Sequence, residues 1–239
     1  GLAIQIVTEE IVIKIAKHAK EISGSDNLCL AGGVALNCVA NGKILKEKLF
    51  KNIWIQPASG DAGGALGASL AAWHIELKNE RIIDDNFMKG SFLGPKFNND
   101  LIKQELDSLG AKYSLETEKN LVEKTALELS KGKAIGWFQN RMEFGPRALG
   151  SRSIIADPRS EKMQTDLNLK IKFRESFRPF APAIISEKCG EWFEFDNPSP
   201  YMLLTYDVIE NKRLANNKQE NLNGIDLLNI KRSVVPAIT

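Results

Sequence analysis

The sequence is poor in the residue types that build metal clusters and disulfide frameworks. Its 239 residues include two histidines and three cysteines, and no two cysteines form a CxxC pair. This scarcity argues against a zinc site closed within the chain, and an odd cysteine count is typical of reduced thiols in a cytoplasmic protein. No apolar run approaches 18 residues, so we expect no transmembrane helix. The first seven residues lack the basic start of a signal peptide.

The composition is otherwise that of an ordinary globular protein, with 43% hydrophobic and 26% charged residues. The length suits one large domain or two smaller ones. The chain begins without Met and stops directly after an apolar run at 234–238. We therefore expect a fragment of a longer protein.

Positive charge is concentrated in one stretch. Residues 131–182 contain eleven Lys and Arg against five Asp and Glu, a local net charge of +6 in a chain whose total is +2. The arginines follow no helical spacing, and several stand beside Gly, Pro or Phe, which favours guanidinium groups held by packing at a pocket wall. Because Arg binds phosphate and carboxylate with forked hydrogen bonds, the stretch predicts a site for an anionic ligand.

The first third of the chain predicts an α/β layout with parallel strands. The predicted elements are a helix capped by Thr8 and ending near residue 22, a strand over 27–31, a helix over 34–49, a strand over 52–56 and a helix after residue 61. A glycine turn precedes each of the last two helices, and such turns let a phosphate approach backbone N–H groups. Tight-turn chemistry explains either turn alone, and Asp61 could be a plain N-cap.

Residues 78–99 lose periodicity and contain Gly and Pro, which predicts a connection between domains. Beyond it we predict helices starting at the caps Asn99, Thr117 and Ser160. The predicted strands are 112–115, 133–138, 153–156, 183–185 and 202–208. Residues 209–231 are rich in Asn and Lys and predict a mobile loop.

Four ordered motifs resemble the NodU/CmcH carbamoyltransferase family. They are LAGGVALNCVAN, PASGDAGGALGAS, FQNRMEFGPRALGSRSIIADPR and KFRESFRPFAPAI, and they cover most of 28–72 and 132–185. The resemblance implies an α/β first part, with residues 1–85 as the C-terminal portion of an actin-like ATPase-fold domain similar to that of tRNA threonylcarbamoyl transferases. Residues 86–99 would be a linker. Residues 100–239 would be an α+β YrdC-like domain, truncated at its end.

The resemblance also implies a two-step reaction. The YrdC-like part would use carbamoyl phosphate and ATP to make carbamoyl-adenylate and pyrophosphate. The actin-like part would then move the carbamoyl group to a hydroxyl of a small-molecule acceptor, with a bound divalent metal, iron by the resemblance. We expect a cytoplasmic enzyme without a membrane partner; a nucleic-acid partner is not favoured, and a homodimer is left open.

Site residues follow from matching these motifs. The catalytic residues would be Lys172, Arg174 and Arg147. The substrate- and nucleotide-binding residues would be Gly32, Gly33, Asn37, Gly63, Gly64, Arg152, Ser153 and Arg178. Asp61 would bind the metal. His18 and His74 do not form the HxxxH pair that the family's metal needs, so we expect the other ligands upstream of residue 1 and an incomplete transfer reaction in this chain alone.

Three other hypotheses stay open. The basic stretch could form an RNA-binding module, although it contains no RNP or KH pattern. The first part could belong to an actin-like sugar kinase, but GPRALGSRS and FRPFAP would then have no role. The basic residues could also form structural ion pairs with Glu143, Asp157 and Glu175, most readily Arg178 as a brace of the FRPFAP turn.

Overall fold

The computed structural model describes residues 1–84, 86–195, 197–215 and 230–239. They form two compact units, each assembled from several chain segments. The first unit comprises 1–96, 139–151 and 199–206, and the second comprises 97–138, 152–198 and 207–239. The content is mixed α/β, as predicted.

In its described residues, the first unit contains three α-helices and a two-stranded parallel sheet. The helices are α1 (Leu2–Ser23), α2 (Cys38–Lys46) and α3 (Asp61–Ala71), and the strands are β1 (Asn27–Leu30) and β2 (Asn52–Ile55). Strand β1 pairs with β2 in register from Asn27 opposite Asn52 to Leu30 opposite Ile55. Both strands lie within one residue of their predicted positions, and the parallel pairing is confirmed.

Helix α1 begins earlier than the sequence predicted. It starts at Leu2, and the Thr8 hydroxyl donates to the Ile4 carbonyl at 2.8 Å instead of capping the helix. Gly24 ends the helix in the left-handed conformation, with φ 61°. A core of Ala16, Ile44 and Phe50 holds α1 against the neighbouring elements.

The part of the second unit that the structure describes contains three α-helices and an antiparallel strand pair. The helices are α4 (Asn99–Ser108), α5 (Glu118–Ser130) and α6 (Met163–Asp166), and the strands are β3 (Ile135–Phe138) and β4 (Arg152–Ile155). Thr117 caps α5 as predicted, whereas the cap of α4 is Asn98 rather than Asn99. A π-helical turn, Leu167–Ile171, continues α6.

Three predicted strands are wrong. Residues 112–115, 183–185 and 202–208 are all described, and none of them forms a strand. Apolar spacing marks such segments locally, but a strand needs a hydrogen-bonded neighbour, and here 202–208 has one isolated bridge, from Val208 to Phe193. The predicted mobile loop at 209–231 lies partly on 216–229, outside the described residues.

Residues 86–96 pack within the first unit against residues 141–144. The Gly94 N–H donates to the Met142 carbonyl at 2.9 Å, and the Ser91 hydroxyl donates to the Phe144 carbonyl at 2.8 Å. The two compact units thus group the residues differently from the predicted linker, 86–99, and the predicted second domain, 100–239. Within the described residues, no helix is long and apolar enough to cross a membrane.

Candidate functional site

The two predicted glycine turns line one pocket of about 490 Å³ in the first unit. Five of the predicted site residues meet there: Gly32, Gly33, Asp61, Gly63 and Gly64. The turns follow the carboxyl ends of β1 and β2, and parallel strands place ligand sites at that edge of a sheet. The strand–turn–helix order therefore brings the two turns to one edge of the sheet, while the roles of the five residues stay predictions.

The first turn of α3 forms one wall of the pocket. The N–H groups of Gly63 and Gly64 donate to the Gly60 carbonyl at 3.0 and 3.3 Å. A Cβ on Gly63 would lie 2.0 Å from the Ala58 carbonyl oxygen, so this position admits no side chain without a shift of the backbone. The positive end of the helix dipole faces the pocket, which favours an anionic group there.

Ser59 is a site residue that the sequence analysis did not single out. It lines the pocket and is 4% exposed, and its Oγ has no hydrogen-bond partner among the described residues. A buried hydroxyl without a partner is costly, and a ligand in the pocket would supply one. The signal in the sequence was a hydroxyl residue just before the glycine that caps α3.

Asp61 contributes a carboxylate to the same pocket. Its negative charge disfavours a bare phosphate nearby and suits a bridging cation. However, the residues that the structure describes contain no group of three or more His, Cys, Asp or Glu able to hold a metal. On their own they do not make up a complete metal site.

Asn37 has a structural position beside the first turn. Its Oδ1 accepts from the Ala40 N–H at 3.1 Å, which caps α2, and its Nδ2 donates to Gln5 Oε1 at 3.0 Å. Gln5 in turn donates to Glu9, a buried carboxylate that also pairs with Lys43. Hydrogen bonds from Lys43, and secondarily from Gln5, lower the pKa of Glu9. The nucleotide-binding role of Asn37 stays a prediction.

The basic loop 139–151 is braced from within by a buried acid. Glu143 is 5% exposed, and its Oε1 accepts from the N–H groups of Leu149 at 2.6 Å and Ser151 at 2.8 Å. These two bonds close the loop back on itself. Glu143 was predicted as a possible ion-pair partner of the basic residues, and its carboxylate also accepts from backbone N–H groups of its own loop.

The same loop contacts both glycine motifs of the first unit. Arg147 Nη2 donates to the Leu36 carbonyl at 2.9 Å, directly after the first turn. A Cβ on Gly145, whose φ is 125°, would lie 3.2 Å from Ala58 Cβ in the PASG turn. The sequence showed the charge of Arg147 but not this long-range contact.

Arg178 and Arg159 of the basic stretch are held by carboxylates. Arg178 Nε donates to Glu175 Oε2 at 2.8 Å, and Arg159 Nη2 donates to Asp157 Oδ2 at 2.6 Å. The bond from Arg159 lowers the pKa of Asp157. The ion-pair hypothesis is therefore correct for Arg178, which braces the segment that leads into FRPFAP.

Arg174 is held differently. Its Nε donates to Asn168 Oδ1 at 2.6 Å, and its guanidinium lies 5.0 Å from the centre of the Phe180 ring. Lys172, which ends the π-helical turn, is exposed. The predicted residues Arg152 and Ser153 lie on β4, opposite Phe138 and Trp137. The convergence of Arg147 with Lys172, Arg174 and Arg178 stays a prediction.

The fold and the pocket of the first unit define an α/β protein with a site suited to an anionic ligand. Comparison with known families gives the assignment. A model described as Carbamoyltransferase N-terminus matches residues 2–70, and one described as Carbamoyltransferase C-terminus matches residues 126–239. The chain belongs to the carbamoyltransferase family, and the sequence-based recognition is confirmed.

Individual relatives agree. Uncharacterized protein sll1178 of Synechocystis is 56% identical over 241 residues, covering 99% of this chain and 39% of the relative. Nodulation protein NolNO of Sinorhizobium fredii is 39% identical over 217 residues, covering 88% of this chain and 31% of the relative. Nodulation protein NolO of Bradyrhizobium diazoefficiens is 38% identical over 214 residues, covering 88% and 38%. The chain thus spans less than half the length of these relatives.

Proposed function

We propose that the chain is part of an enzyme that activates a carbamoyl group with ATP and transfers it to a hydroxyl of a small-molecule acceptor. The donor in this proposal is carbamoyl phosphate, and the activated species is carbamoyl-adenylate. The order of the two carbamoyltransferase matches along the chain supports the proposal. We also propose the arrangement of an actin-like first part and a YrdC-like second part.

The observation that carries the proposal is the pocket formed by the two glycine turns. A helix N-terminus and the buried hydroxyl of Ser59 both face a space large enough for a phosphate group. ATP, carbamoyl-adenylate and AMP each present such a group. The pocket is therefore suited to holding the adenylate while the acceptor attacks.

The proposed reaction has three steps: hydrolysis of carbamoyl phosphate, adenylation of carbamate, and transfer of the carbamoyl group. Water cleaves carbamoyl phosphate to carbamate and inorganic phosphate. A carbamate oxygen then attacks the α-phosphorus of ATP, the bond to the β-phosphate oxygen breaks, and pyrophosphate leaves. Finally the acceptor hydroxyl attacks the carbamoyl carbon, loses its proton, and AMP leaves. Each step moves negative charge between phosphate oxygens, which calls for fixed cations and N–H donors.

The second unit supplies such cations for the cleavage of carbamoyl phosphate and for the adenylation step. Arg174 and Lys172 have no carboxylate partner among the described residues, whereas Arg178 is neutralised by Glu175. We assign phosphate binding to Arg174 and Lys172, with Arg152 and Ser153 on β4 as further candidates. Arg178 then acts mainly as a brace.

Asp61 is the one residue of this chain that we propose as a ligand of a divalent metal. Its carboxylate would supply one oxygen ligand and would draw the cation to the adenylate phosphate. The described residues do not complete a site around it. No step above is therefore routed through a metal.

The test is carbamoyl-phosphate-dependent release of pyrophosphate from ATP by the full-length protein. We expect wild-type protein to release pyrophosphate only when carbamoyl phosphate and ATP are both present. Arg174→Lys keeps the charge but loses the fork, so its rate should fall on the order of tenfold. Arg159→Lys is the matched control, because Arg159 is occupied by Asp157. Absence of carbamoyl-phosphate-dependent release in the wild type would refute the proposal.

Ser59 tests the pocket in the first unit separately. Ser59→Ala should weaken the binding of AMP several-fold, because a hydroxyl donor to phosphate is lost. Ser69→Ala is the control, since Ser69 lies on α3 outside the pocket lining and its Oγ donates to the Ala65 carbonyl at 3.0 Å. Equal AMP affinity in Ser59→Ala and wild type would remove Ser59 from the site.

A further inference from the structure

The side chain of Asn168 is buried and makes three hydrogen bonds to the segment that follows it. Asn168 lies in the π-helical turn and is 0% exposed. Its Nδ2 donates to the carbonyls of Ser176 and Arg178, each at 2.9 Å, and its Oδ1 accepts from Arg174 Nε at 2.6 Å. Because both amide hydrogens are taken by carbonyls, the oxygen must be the atom that faces Arg174.

These bonds leave one end of Arg174 fixed and the other end available. The Nε is held by Asn168, and Phe180 lies 5.0 Å from the guanidinium carbon. Within the described residues, the two terminal nitrogens make no hydrogen bond or ion pair. A guanidinium held at Nε and at its face presents its Nη groups to a ligand in a set direction.

The acceptor that holds Arg174 is neutral, and this distinguishes it from neighbouring arginines. Arg178 is bound by the carboxylate of Glu175, and Arg159 by that of Asp157. A carboxylate partner orients a guanidinium but also cancels its charge toward an incoming anion. A buried amide orients it and leaves the charge intact.

We propose that Asn168 is the positioning residue that holds the Arg174 guanidinium, with no carboxylate of the described residues hydrogen-bonded to it, for the phosphate group of carbamoyl phosphate. This inference rests on the proposed function and adds a residue that no sequence motif above had assigned a role. Asn168 does not touch the substrate. It acts through Arg174, so its effect should disappear when Arg174 can no longer bind in a fork.

A double-mutant cycle tests this in the full-length protein, with KM for carbamoyl phosphate in the pyrophosphate-release assay as the readout. Asn168→Ala should raise that KM on the order of tenfold in the wild-type background. In the Arg174→Lys background it should add less than about twofold, because the oriented fork is already lost. Additive losses would overturn the inference and leave the proposed function standing. No carbamoyl-phosphate-dependent release in the wild type would overturn both.

Asn41 provides a matched control for burial. It is 2% exposed, and its Nδ2 donates to the carbonyls of Ala35 and Leu203 at 2.8 and 3.0 Å. Asn41→Ala therefore removes a comparable pair of hydrogen bonds to backbone carbonyls. Unlike Asn168, Asn41 does not hold an arginine through its Oδ1 within the described residues. It should lower the unfolding midpoint but leave KM for carbamoyl phosphate within about twofold. A KM rise equal to that of Asn168→Ala would show a merely structural effect and overturn the inference.

Asn168→Asp keeps the inference testable if the alanine variant does not fold. The substitution preserves size and the acceptor oxygen, removes the amide N–H donors to the Ser176 and Arg178 carbonyls, and places a carboxylate beside Arg174. The carboxylate should form an ion pair with the Arg174 guanidinium and cancel its positive charge. We therefore expect KM for carbamoyl phosphate to rise at least as much as in Arg174→Lys. Wild-type KM in Asn168→Asp, with folding verified by circular dichroism, would overturn the inference, because the neutrality of the amide would then be irrelevant.

Discussion

Gly63 and Gly64 are neighbours in the first turn of α3 with opposite surroundings. A Cβ on Gly63 would meet the Ala58 carbonyl oxygen at 2.0 Å, whereas a Cβ on Gly64 would meet no atom outside its own helical turn within 4 Å. We expect Gly63→Ala to lower the free energy of unfolding by about 1–3 kcal/mol, because the backbone of the PASG turn must shift. Denaturant unfolding measures the difference.

Gly64→Ala is the matched control for that prediction. Alanine in a helix is favoured over glycine by about 0.5–1 kcal/mol, so the variant should be as stable as the wild type or slightly more stable. Similar losses in both variants would show that helix propensity or pocket filling, rather than the close approach to Ala58, governs this turn.

Glu9 is a buried carboxylate whose environment favours its charged form. Hydrogen bonds from Lys43 and Gln5 lower its pKa, so the unfolded chain takes up a proton at a higher pH than the folded protein does. Its contribution to stability is therefore fully present above the ordinary carboxyl pKa. It is lost as the pH falls through the lower pKa of the folded state.

We predict that Glu9→Gln destabilises the protein at neutral pH and that the difference from wild type shrinks toward about pH 3. Urea midpoints measured for both proteins across that range give the result. Glu10→Gln is the control, because Glu10 is exposed and no hydrogen bond or ion pair to its side chain is present in the described residues. A difference for Glu9→Gln that stays constant with pH would contradict the prediction.

At the scale of elements, α2 depends on a cap that also joins it to α1. Asn37 Oδ1 accepts from Ala40 N–H, and the other end of the amide bonds to Gln5. Asn37→Ala should cost about 1 kcal/mol of stability, the typical loss for a helix cap. Asn37→Asp keeps the capping oxygen and should lose less. If both variants unfold at the wild-type denaturant midpoint, the cap is not stabilising.

Local signals predicted several elements well. Strands β1 and β2 were found because short apolar runs end at glycine turns, and Thr117 was found because a hydroxyl precedes the acidic first turn of α5. Thr8 gave the same local signal, with two glutamates after it, yet residues 2–7 already continue the helix. A cap motif predicts a helix start only where the preceding residues cannot be helical.

The pocket and the cations show where sequence reasoning ends. The glycine turns could be placed because parallel strands bring their carboxyl ends together. The partners of each arginine could not, because Arg174 and Arg178 have similar neighbours in sequence but one binds an amide and the other a carboxylate. Charge density alone does not reveal which cation is already neutralised.

At the scale of the molecule, the first unit is built from three separated segments. Residues 139–151 and 199–206 pack with residues 1–96 rather than with their sequence neighbours. Arg147 donates to the Leu36 carbonyl, and Asn41 donates to the Leu203 carbonyl at 3.0 Å. These contacts join positions more than a hundred residues apart, which periodicity and composition do not detect.

This construction predicts the outcome of limited proteolysis. Residues 81–84 are exposed, with Ile82 and Ile83 more than 80% accessible, so trypsin should cut first after Arg81. If residues 1–85 formed an independent domain, the cut would release an N-terminal piece. We expect instead that the nicked chain elutes as one species in native size exclusion and separates only in denaturant, because Asn41 and Leu36 remain bonded to later segments. Arg81→Gln should abolish the cut, and release of the N-terminal piece under native conditions would favour the contiguous domains instead.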